Sequence, residues 1–381
     1  MDTLNQTEIV FDDLGPEIVF HMYDPKLNFR AVAVLDNLNL GLAKGGIRMT
    51  GTTSPFEVSR LARAMTLKNS LAGLPFGGGK SGIMVDPKGM SMAKKKAIIE
   101  SFGRMIRPLA PKYYIAGPDI NTTEREMQWL SEANGSWDAC TGKPANFCSS
   151  VGGKKRCGLP HELGSTGYGV ALATIAALEH LEISVAGAEI IIAGYGNVGV
   201  FAHKFLQEQG AKIVAVNDSS GTIYDRRGLD FTKLNDVKQK TGSVTNYPGG
   251  KKLTREVIYE LSADALIPAA GTDVINETNV AKVKAKSIIE GANIPMREHY
   301  EKMLHKKDIL IIPDFLANAG GVISSYAEYK GYDAKRMFKL IREKITPNTK
   351  EVLEIVGKGT MMPRDAALKI AKARVVAAKK K

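Results

Sequence analysis

The chain of 381 residues is 44% hydrophobic and 24% charged, the make-up of an ordinary globular protein of two or three domains. Its formal net charge of +12 raises nucleic acid as a partner, but the lysines are spread out, with short runs only at Lys94–Lys96 and Lys379–Lys381, and no basic stripe is interleaved with aromatics, so a solvated basic surface is expected instead. No run of about 18 apolar residues exists to span a membrane, and Met1–Asp13 has neither the basic start nor the apolar core of a secretory signal, so a cytoplasmic protein is expected.

From Asn28 to about Asp119 strand-like and helix-like segments alternate. Phe29–Leu35 is β-rich. Ser54–Leu71 has helical spacing, with Ser54 and Glu57 set as a capping box and Pro55 at the first helical position. Gly77–Gly82 reads as a glycine loop, Gly82–Val85 as a short strand ended by Asp86-Pro87, and Met90–Leu109 as a helix. Tyr113–Ala116 is a strand leading into Gly117-Pro118-Asp119, after which Thr122 or Thr123 caps another helix. Residues 140–165 are rich in Gly, Ser, Lys and Pro without periodicity and read as a linker and surface loop. All the cysteines, Cys140, Cys148 and Cys157, fall there. Their odd number and the lack of a short-spaced pair argue against a disulfide scaffold or a zinc site, so reduced thiols and no metal are expected.

A helix over Thr166–His180 precedes a βα repeat. Apolar strands at Ile190–Ala193, Ile213–Val216, Ala265–Ile267, Ser287–Ile289 and Ile309–Ile312 each run into a polar or glycine-rich turn. Such strands alternating with helices predict a parallel sheet covered on both faces, with ligands at the carboxyl ends of the strands. The tail is mostly helical, including Ile323–Tyr329 and Ala334–Ile345, and is able to pack back on the first domain.

The first βα turn carries Gly194-Tyr195-Gly196-Asn197-Val198-Gly199, and Asp218 lies 19 residues beyond Gly199 at the end of the next strand. That context makes a dinucleotide fingerprint. Gly194 permits the turn, Gly196 admits the pyrophosphate to the backbone, Gly199 lets helix and strand pack, and Asp218 is placed for a ribose hydroxyl. The acid favours NAD. Ser219, Ser220, Arg226 and Arg227 lie near enough in sequence to accept a 2′-phosphate, so NAD and NADP both stay open.

In the first third, Lys44, Lys68, Lys80 and Asp119 each follow an apolar run, and two of the lysines lie beside glycines. A lysine desolvated at the end of an ordered element has a lowered pKa, which suits proton transfer. The segment around Lys80 is not a nucleoside-triphosphate loop, because Leu74 stands where that motif needs glycine. With the fingerprint, this set suggests hydride transfer between a nicotinamide and a small anionic substrate.

The stretches KGGIR at Lys44, MTLKNSLAGLPFGGGKSGI around Lys68 and Lys80, AGPDINTT at Asp119, GSTGYGV at Thr166, GYGNVG at Gly194, PAAG at Pro268, GAN at Gly291 and NAGGVISSYAE at Asn318 go further. Together the chain resembles the glutamate/leucine/phenylalanine/valine dehydrogenase family, most closely its glutamate branch. The resemblance implies an α/β protein with an N-terminal mixed α/β substrate and oligomerisation domain, residues 1–165 joined by about 325–381. A Rossmann-type dinucleotide-binding domain, 166–324, would follow, in a hexamer. It implies that Lys80 polarises the carbonyl or imine and activates water, that Asp119 transfers protons at the amino group, and that Lys68 binds the α-carboxylate. It also implies that Lys44 and Ser325 bind a side-chain carboxylate. Thr166, Asn197 and Asn318 match positions near the nicotinamide, and Val198, Ala270 and Asn293 fall in the matching cofactor motifs. Gly117 departs from the alanine usual beside the pocket, and Asn146–Pro160 fits neither the glutamate nor the leucine branch. The competing expectations are a branched-chain or aromatic amino-acid dehydrogenase and, from another class, a catalytically silent cofactor-binding regulator.

Overall fold

The computed structural model describes residues 8–160, 163–357 and 361–378. They divide into two compact units. The first takes the described residues up to Leu163, Val322–Met337 and those from Ala371 on, and the second takes Gly164–Gly321 and Phe338–Ile370. The expected return of the whole segment 325–381 to the first unit is therefore corrected, since Phe338–Ile370 belongs to the second.

The first unit is built on a mixed sheet of β1 (Ile18–Asp24), β2 (Phe29–Asn37), β3 (Ala43–Lys44), β4 (Ile47–Met49), β5 (Gly77–Ile83) and β6 (Tyr114–Ile115) in the order β1-β2-β5-β3-β6, with β4 also paired to β5. Strands β1, β2 and β5 are successive antiparallel neighbours, while β3 and β4 run parallel to β5. The continuous apolar run of β2 follows from burial on both faces. Val32 and Val34 meet Val58 and Ala62 of α1 (Pro55–Leu71), whereas Ala31, Ala33 and Leu35 join a core with Ile98, Ile99 and Phe102 of α2 (Met92–Met105) and Met127 and Leu130 of α3 (Glu124–Asn134).

Ser54 caps α1 by accepting from the Glu57 amide at 3.1 Å. Helix α2 starts two residues later than expected because Ser91 is its cap. Helix α3 begins after Thr123, whose amide donates to Glu126.

The glycine segment beside Lys80 is not a loop but the central strand β5. Its glycines are packing devices. A Cβ on Gly78 would lie 2.0 Å from Thr66 Oγ1 on α1, and one on Gly77 would lie 1.9 Å from Asn37 O. Helix and neighbouring strands thus press on bare backbone, and Lys80 issues from a rigid element.

The linker expectation for 140–165 is also corrected. Residues β7 (Cys148–Val151) and β8 (Lys154–Cys157) form a hairpin whose register sets Cys148 opposite Cys157, and the two are joined by a disulfide. Only the buried Cys140 is a free thiol. The antiparallel pairing brings together two cysteines that their nine-residue separation leaves apart in the sequence.

The second unit opens with α4 (Ser165–His180) and builds a sheet of β9 (Glu189–Ala193), β10 (Lys212–Asp218), β11 (Gly221–Tyr224), β12 (Lys251–Leu253), β13 (Ala265–Pro268), β14 (Ser287–Ile289) and β15 (Leu310–Ile312) in the order β12-β11-β10-β9-β13-β14-β15. The five expected strands are mutually parallel; β11 and β12 extend the sheet antiparallel beyond β10 and had no clear sequence signal. Chain order reverses between β9 and β13, the switch point where ligands bind in such sheets. Helices α5 (Asn197–Gln207), α6 (Phe231–Thr241) and α7 (Glu298–His305) connect the strands, and α8 (Asp314–Ala317), α9 (Gly320–Tyr329), α10 (Ala334–Val356) and α11 (Pro363–Ala378) follow the last strand. Helix α10 continues past the expected end at Ile345, carrying Pro347 inside it.

Arg364 is the polar knot of this unit. Its Nε donates to both Glu301 oxygens at 2.8 Å, and its Nη2 donates to Glu290 at 2.7 Å and to Asp314 at 3.2 Å. Glu290 also accepts from the Asp314 amide, and Asp314 accepts from the Ile294 amide, so the knot fixes both ends of the Gly291-Ala292-Asn293 turn. Burial, with Asp314 beside it, pushes the Glu290 carboxyl well above its usual range, so removing the arginine leaves buried acids with no cation. Arg364→Met is expected to cost about 3 kcal/mol or more of stability at neutral pH, read as a lower urea midpoint by circular dichroism.

Candidate active site

In the first unit the parallel strands β3 and β6 end side by side, and their carboxyl ends set the geometry. Lys44 closes β3 and is buried, 3% exposed, with its Nζ donating to Ala116 O at 2.9 Å. It forms no ion pair among the described residues. Burial above all lowers its pKa to about 7; Cys140 and Glu328 work against that, and the charges of Lys80 and Lys143 add to it. A Cβ on Gly117 would lie 2.5 Å from Lys44 Nζ. Glycine at 117 therefore leaves room for the Lys44 amino group.

Lys80, 6% exposed at the middle of β5, pairs with Asp119 Oδ2 at 3.0 Å. Burial lowers the Lys80 pKa against the pull of Asp119. For Asp119 burial acts to raise the pKa, but the cations of Lys80 and Arg48 outweigh it and hold the carboxyl below its usual range. The Asp119 carboxyl is thus held by two basic groups and largely shielded from water. The turn that carries Asp119 is bolted to β4: Ile47 N donates to Gly117 O, Met49 N to Ile120 O, and the Thr122 hydroxyl to Ile47 O. Lys68 lies half-buried in the last turn of α1, and Ser325 is buried on α9.

Beside Lys44, Lys143 is buried and pairs with Glu328 of α9 at 2.7 Å, its ammonium 4.2 Å from the Trp137 ring centre and bonded to Cys140 O. The other Glu328 oxygen accepts from the Gly142 and Leu159 amides at 2.8 and 2.9 Å. The segment 140–165, read from sequence as a linker, is thereby fastened through Gly142, Lys143 and Leu159 to the helix that bears Ser325.

In the second unit, the fingerprint residues surround the switch point. Gly194 has φ +112°, and a Cβ there would lie 2.5 Å from Ala270 N, so the turn after β9 and the turn after β13 touch backbone to backbone. A Cβ on Gly199 would lie 2.0 Å from Gly194 O, which demands glycine where α5 crosses the strand end. Gly196 is different: nothing lies within 4 Å of its Cβ position. The space before the α5 amino terminus is open, as a pyrophosphate needs. Asn197 is exposed at the first turn of α5, and Val198 and Thr166 are half-buried. Asn318 donates to Asn293 Oδ1 at 3.0 Å and reaches Gly291 O and Ala292 O, holding the turn after β14. The residues present fit a dinucleotide.

Asp218 ends β10 and accepts from Lys238 Nζ at 2.5 Å, Val244 N at 2.8 Å and Ser220 N at 2.8 Å. Burial acts to raise its pKa, but Lys238 and those amides hold the carboxyl below its usual range. Arg226 and Arg227 pair with Glu189 and Asp225 instead. The cation beside Asp218 is Lys238, which carries no signal in the sequence because α6 holds no motif. Arg48 stood inside KGGIR but had no assigned role.

Gly196→Ala is expected to leave the urea midpoint unchanged while raising the Kd for NADH or NADPH at least about tenfold by crowding the phosphates. Gly194→Ala, strained at positive φ, is expected to lower stability itself. Fluorescence titration and denaturation of both variants check this.

Against known proteins, residues 18–134 match the Glu/Leu/Phe/Val dehydrogenase dimerisation domain, and residues 158–381 match the Glutamate/Leucine/Phenylalanine/Valine dehydrogenase model. The glutamate dehydrogenase of Aeropyrum pernix is 41% identical over 90% of this chain and 84% of its own length. The NADP-specific glutamate dehydrogenase of Saccharolobus shibatae is 42% identical over 77% of this chain and 69% of its own length. The solved hetero-hexameric glutamate dehydrogenase of Thermus thermophilus, in a leucine-bound form, superposes with a TM-score of 0.82 at 26% identity, covering 96% of this chain and 89% of that one. Among the described residues no helix is long and apolar enough to cross a membrane. With the paired Lys80 and Asp119 in one unit and the dinucleotide cradle in the other, the chain belongs to the glutamate/leucine/phenylalanine/valine dehydrogenase family.

Proposed function

We propose that this protein catalyses the reversible NAD(P)-dependent oxidative deamination of L-glutamate to 2-oxoglutarate and ammonia. The observation that carries the reading is Lys44, a buried amino group with only a carbonyl to bond and no carboxylate partner among the described residues to hold its charged form. A dicarboxylic substrate supplies the missing charge through its side chain, with Ser325 as a second donor. Leucine or phenylalanine would desolvate the ammonium and leave it unpaired, which is strongly unfavourable.

In this reading Lys68 binds the α-carboxylate. Asp119 takes a proton from the substrate ammonium group, which frees the nitrogen lone pair. The dinucleotide held by the Gly194–Gly199 turn would supply the acceptor for the hydride from Cα and, in the reverse direction, its donor. Lys80, kept low in pKa by burial, removes a proton from the water that adds to the iminium carbon. Its ammonium form then stabilises the oxygen of the carbinolamine. Asp119 returns its proton to the departing nitrogen, the carbinolamine hydroxyl proton passes to that nitrogen as the C–N bond breaks so that ammonium leaves, and Lys80 releases its own proton to solvent.

Thr166, Asn197, Val198 and Asn318 would face the nicotinamide end, and Gly194, Gly196, Gly199, Ala270 and Asn293 the phosphates and neighbouring turns. The tie between Asp218 and Lys238 leaves the ribose corner near neutral, which favours acceptance of both NAD and NADP. We place the enzyme in the cytoplasm with its dinucleotide pool, in a cell whose thiol balance lets the Cys148–Cys157 hairpin stay oxidised. A homo-hexamer joined through the first unit fits the edge strand β1 and its exposed Tyr23.

Ammonia-dependent oxidation of NADH and NADPH, run with 2-oxoglutarate and with 4-methyl-2-oxopentanoate, tests the reading. Turnover with 2-oxoglutarate alone is expected; turnover mainly with the branched acid, or none with either by a protein that binds dinucleotide, would contradict it. Lys44→Leu is expected to lower kcat/KM for 2-oxoglutarate by about 10³-fold and to spare the branched acid. Asp218→Ser, which leaves Lys238 unpaired, is expected to raise the NADPH:NADH ratio of kcat/KM about tenfold, measured at fixed ionic strength.

A further inference from the structure

Asp119 has two oxygens in unlike surroundings. Oδ2 takes both cations: Lys80 Nζ on β5 at 3.0 Å and Arg48 Nε on β4 at 3.0 Å. Oδ1 accepts no hydrogen bond from the described residues. The far end of the Arg48 guanidinium is held in turn by Glu57 in the first turn of α1. Arg48 therefore spans two carboxylates in a fixed plane, a geometry its rigid fork permits and a lysine could not reproduce. Its side chain is 18% exposed, so the contact with Asp119 is only partly screened.

We propose that Arg48 is a positioning residue for proton transfer: together with Lys80 it anchors Oδ2 of Asp119 and turns Oδ1 outward as the oxygen that exchanges protons with the substrate nitrogen. This rests on the reading of Asp119 given above. With one oxygen doubly held, the carboxylate cannot rotate to offer either oxygen at random, and the basic lone pairs point one way. The other groups facing it are Tyr114 on β6, whose buried hydroxyl donates to Gly45 O, and the Thr122 hydroxyl, which accepts from the Asp119 amide. Neither carries charge at neutral pH. The two cations are thus what keeps Asp119 ionised against its burial, and Arg48 supplies this without giving up a proton of its own.

The sign is fixed. Asp119 acts as a base only when ionised, so glutamate oxidation falls as pH drops through its titration. Losing Arg48 makes protonation easier and carries the acid limb of kcat to higher pH, by about one pH unit or more. The test is the pH profile of kcat and KM for glutamate oxidation at saturating dinucleotide, in the full-length enzyme and in Arg48→Met, Arg48→Lys and Asp119→Asn. Arg48→Met is expected to shift the acid limb upward with the glutamate KM changed less than about threefold, since Arg48 does not touch substrate. Arg48→Lys is expected to hold the limb near its original place while kcat falls about tenfold, because charge remains and the fork is lost. A rate lowered equally at every pH in Arg48→Met would overturn the proposal, as would a KM that absorbs the whole loss. If Arg48→Met does not fold, Arg48→Lys with unaltered kcat overturns it. Asp119→Asn separates the two levels: full activity there removes the role of Asp119 itself, whereas loss of activity there with an unmoved Arg48→Met profile removes only that of Arg48.

Discussion

Much of the first unit follows from the difficulty of keeping ammonium groups out of water. Lys44, Lys80 and Lys143 are all buried near one another, and a buried cation without a partner is costly. The fold treats each differently. Lys143 receives a full counter-ion in Glu328, a ring face and a carbonyl, and becomes a structural strut. Lys80 receives Asp119, which it shares with Arg48. Lys44 receives only the Ala116 carbonyl and stays poorly compensated. In the proposed mechanism that inequality would separate frame from reactive pair from recognition group.

The second unit is governed by close approach of backbones. Gly194, Gly199 and Ala270 lie where the turns after β9 and β13 meet, and no larger residue fits between them. The space left open at Gly196 stands beside those tight contacts, so the same glycine run both closes the scaffold and opens the phosphate position. The Arg364 knot, on the helical tail, holds the neighbouring turn after β14 through Glu290 and Asp314. Tail and cofactor cradle therefore share one network, although they are far apart in sequence.

The parallel strands of the second unit, the cap at Ser54 and the fingerprint were legible because each depends on local pattern: apolar runs, a hydroxyl before a helix, glycines at fixed spacing. What escaped was non-local. Gly77–Gly79 looked like a loop because glycine is rare in strands, but the requirement came from Thr66, Asn37 and Tyr114 packing onto the backbone. The cysteines looked unpaired because only the β7–β8 register brings them opposite. Strands β11 and β12 are too short, at four and three residues, to show a period. Lys44, Lys80 and Asp119 stand out in motifs, whereas Arg48, Lys143 and Lys238 are paired with groups that sequence does not place beside them.

The central claim is that Lys44 sits largely neutral above pH 7 until a second carboxylate arrives. Binding of a dicarboxylate should then draw a proton onto it. The direct measurement is calorimetric titration of 2-oxoglutarate into the enzyme with oxidised dinucleotide present, so that no turnover occurs, in buffers of differing ionisation enthalpy. With a pKa of about 7 in the free enzyme, uptake of nearly one proton per site is expected at pH 8, falling away by pH 6. Binding with no proton uptake at pH 8 would contradict it.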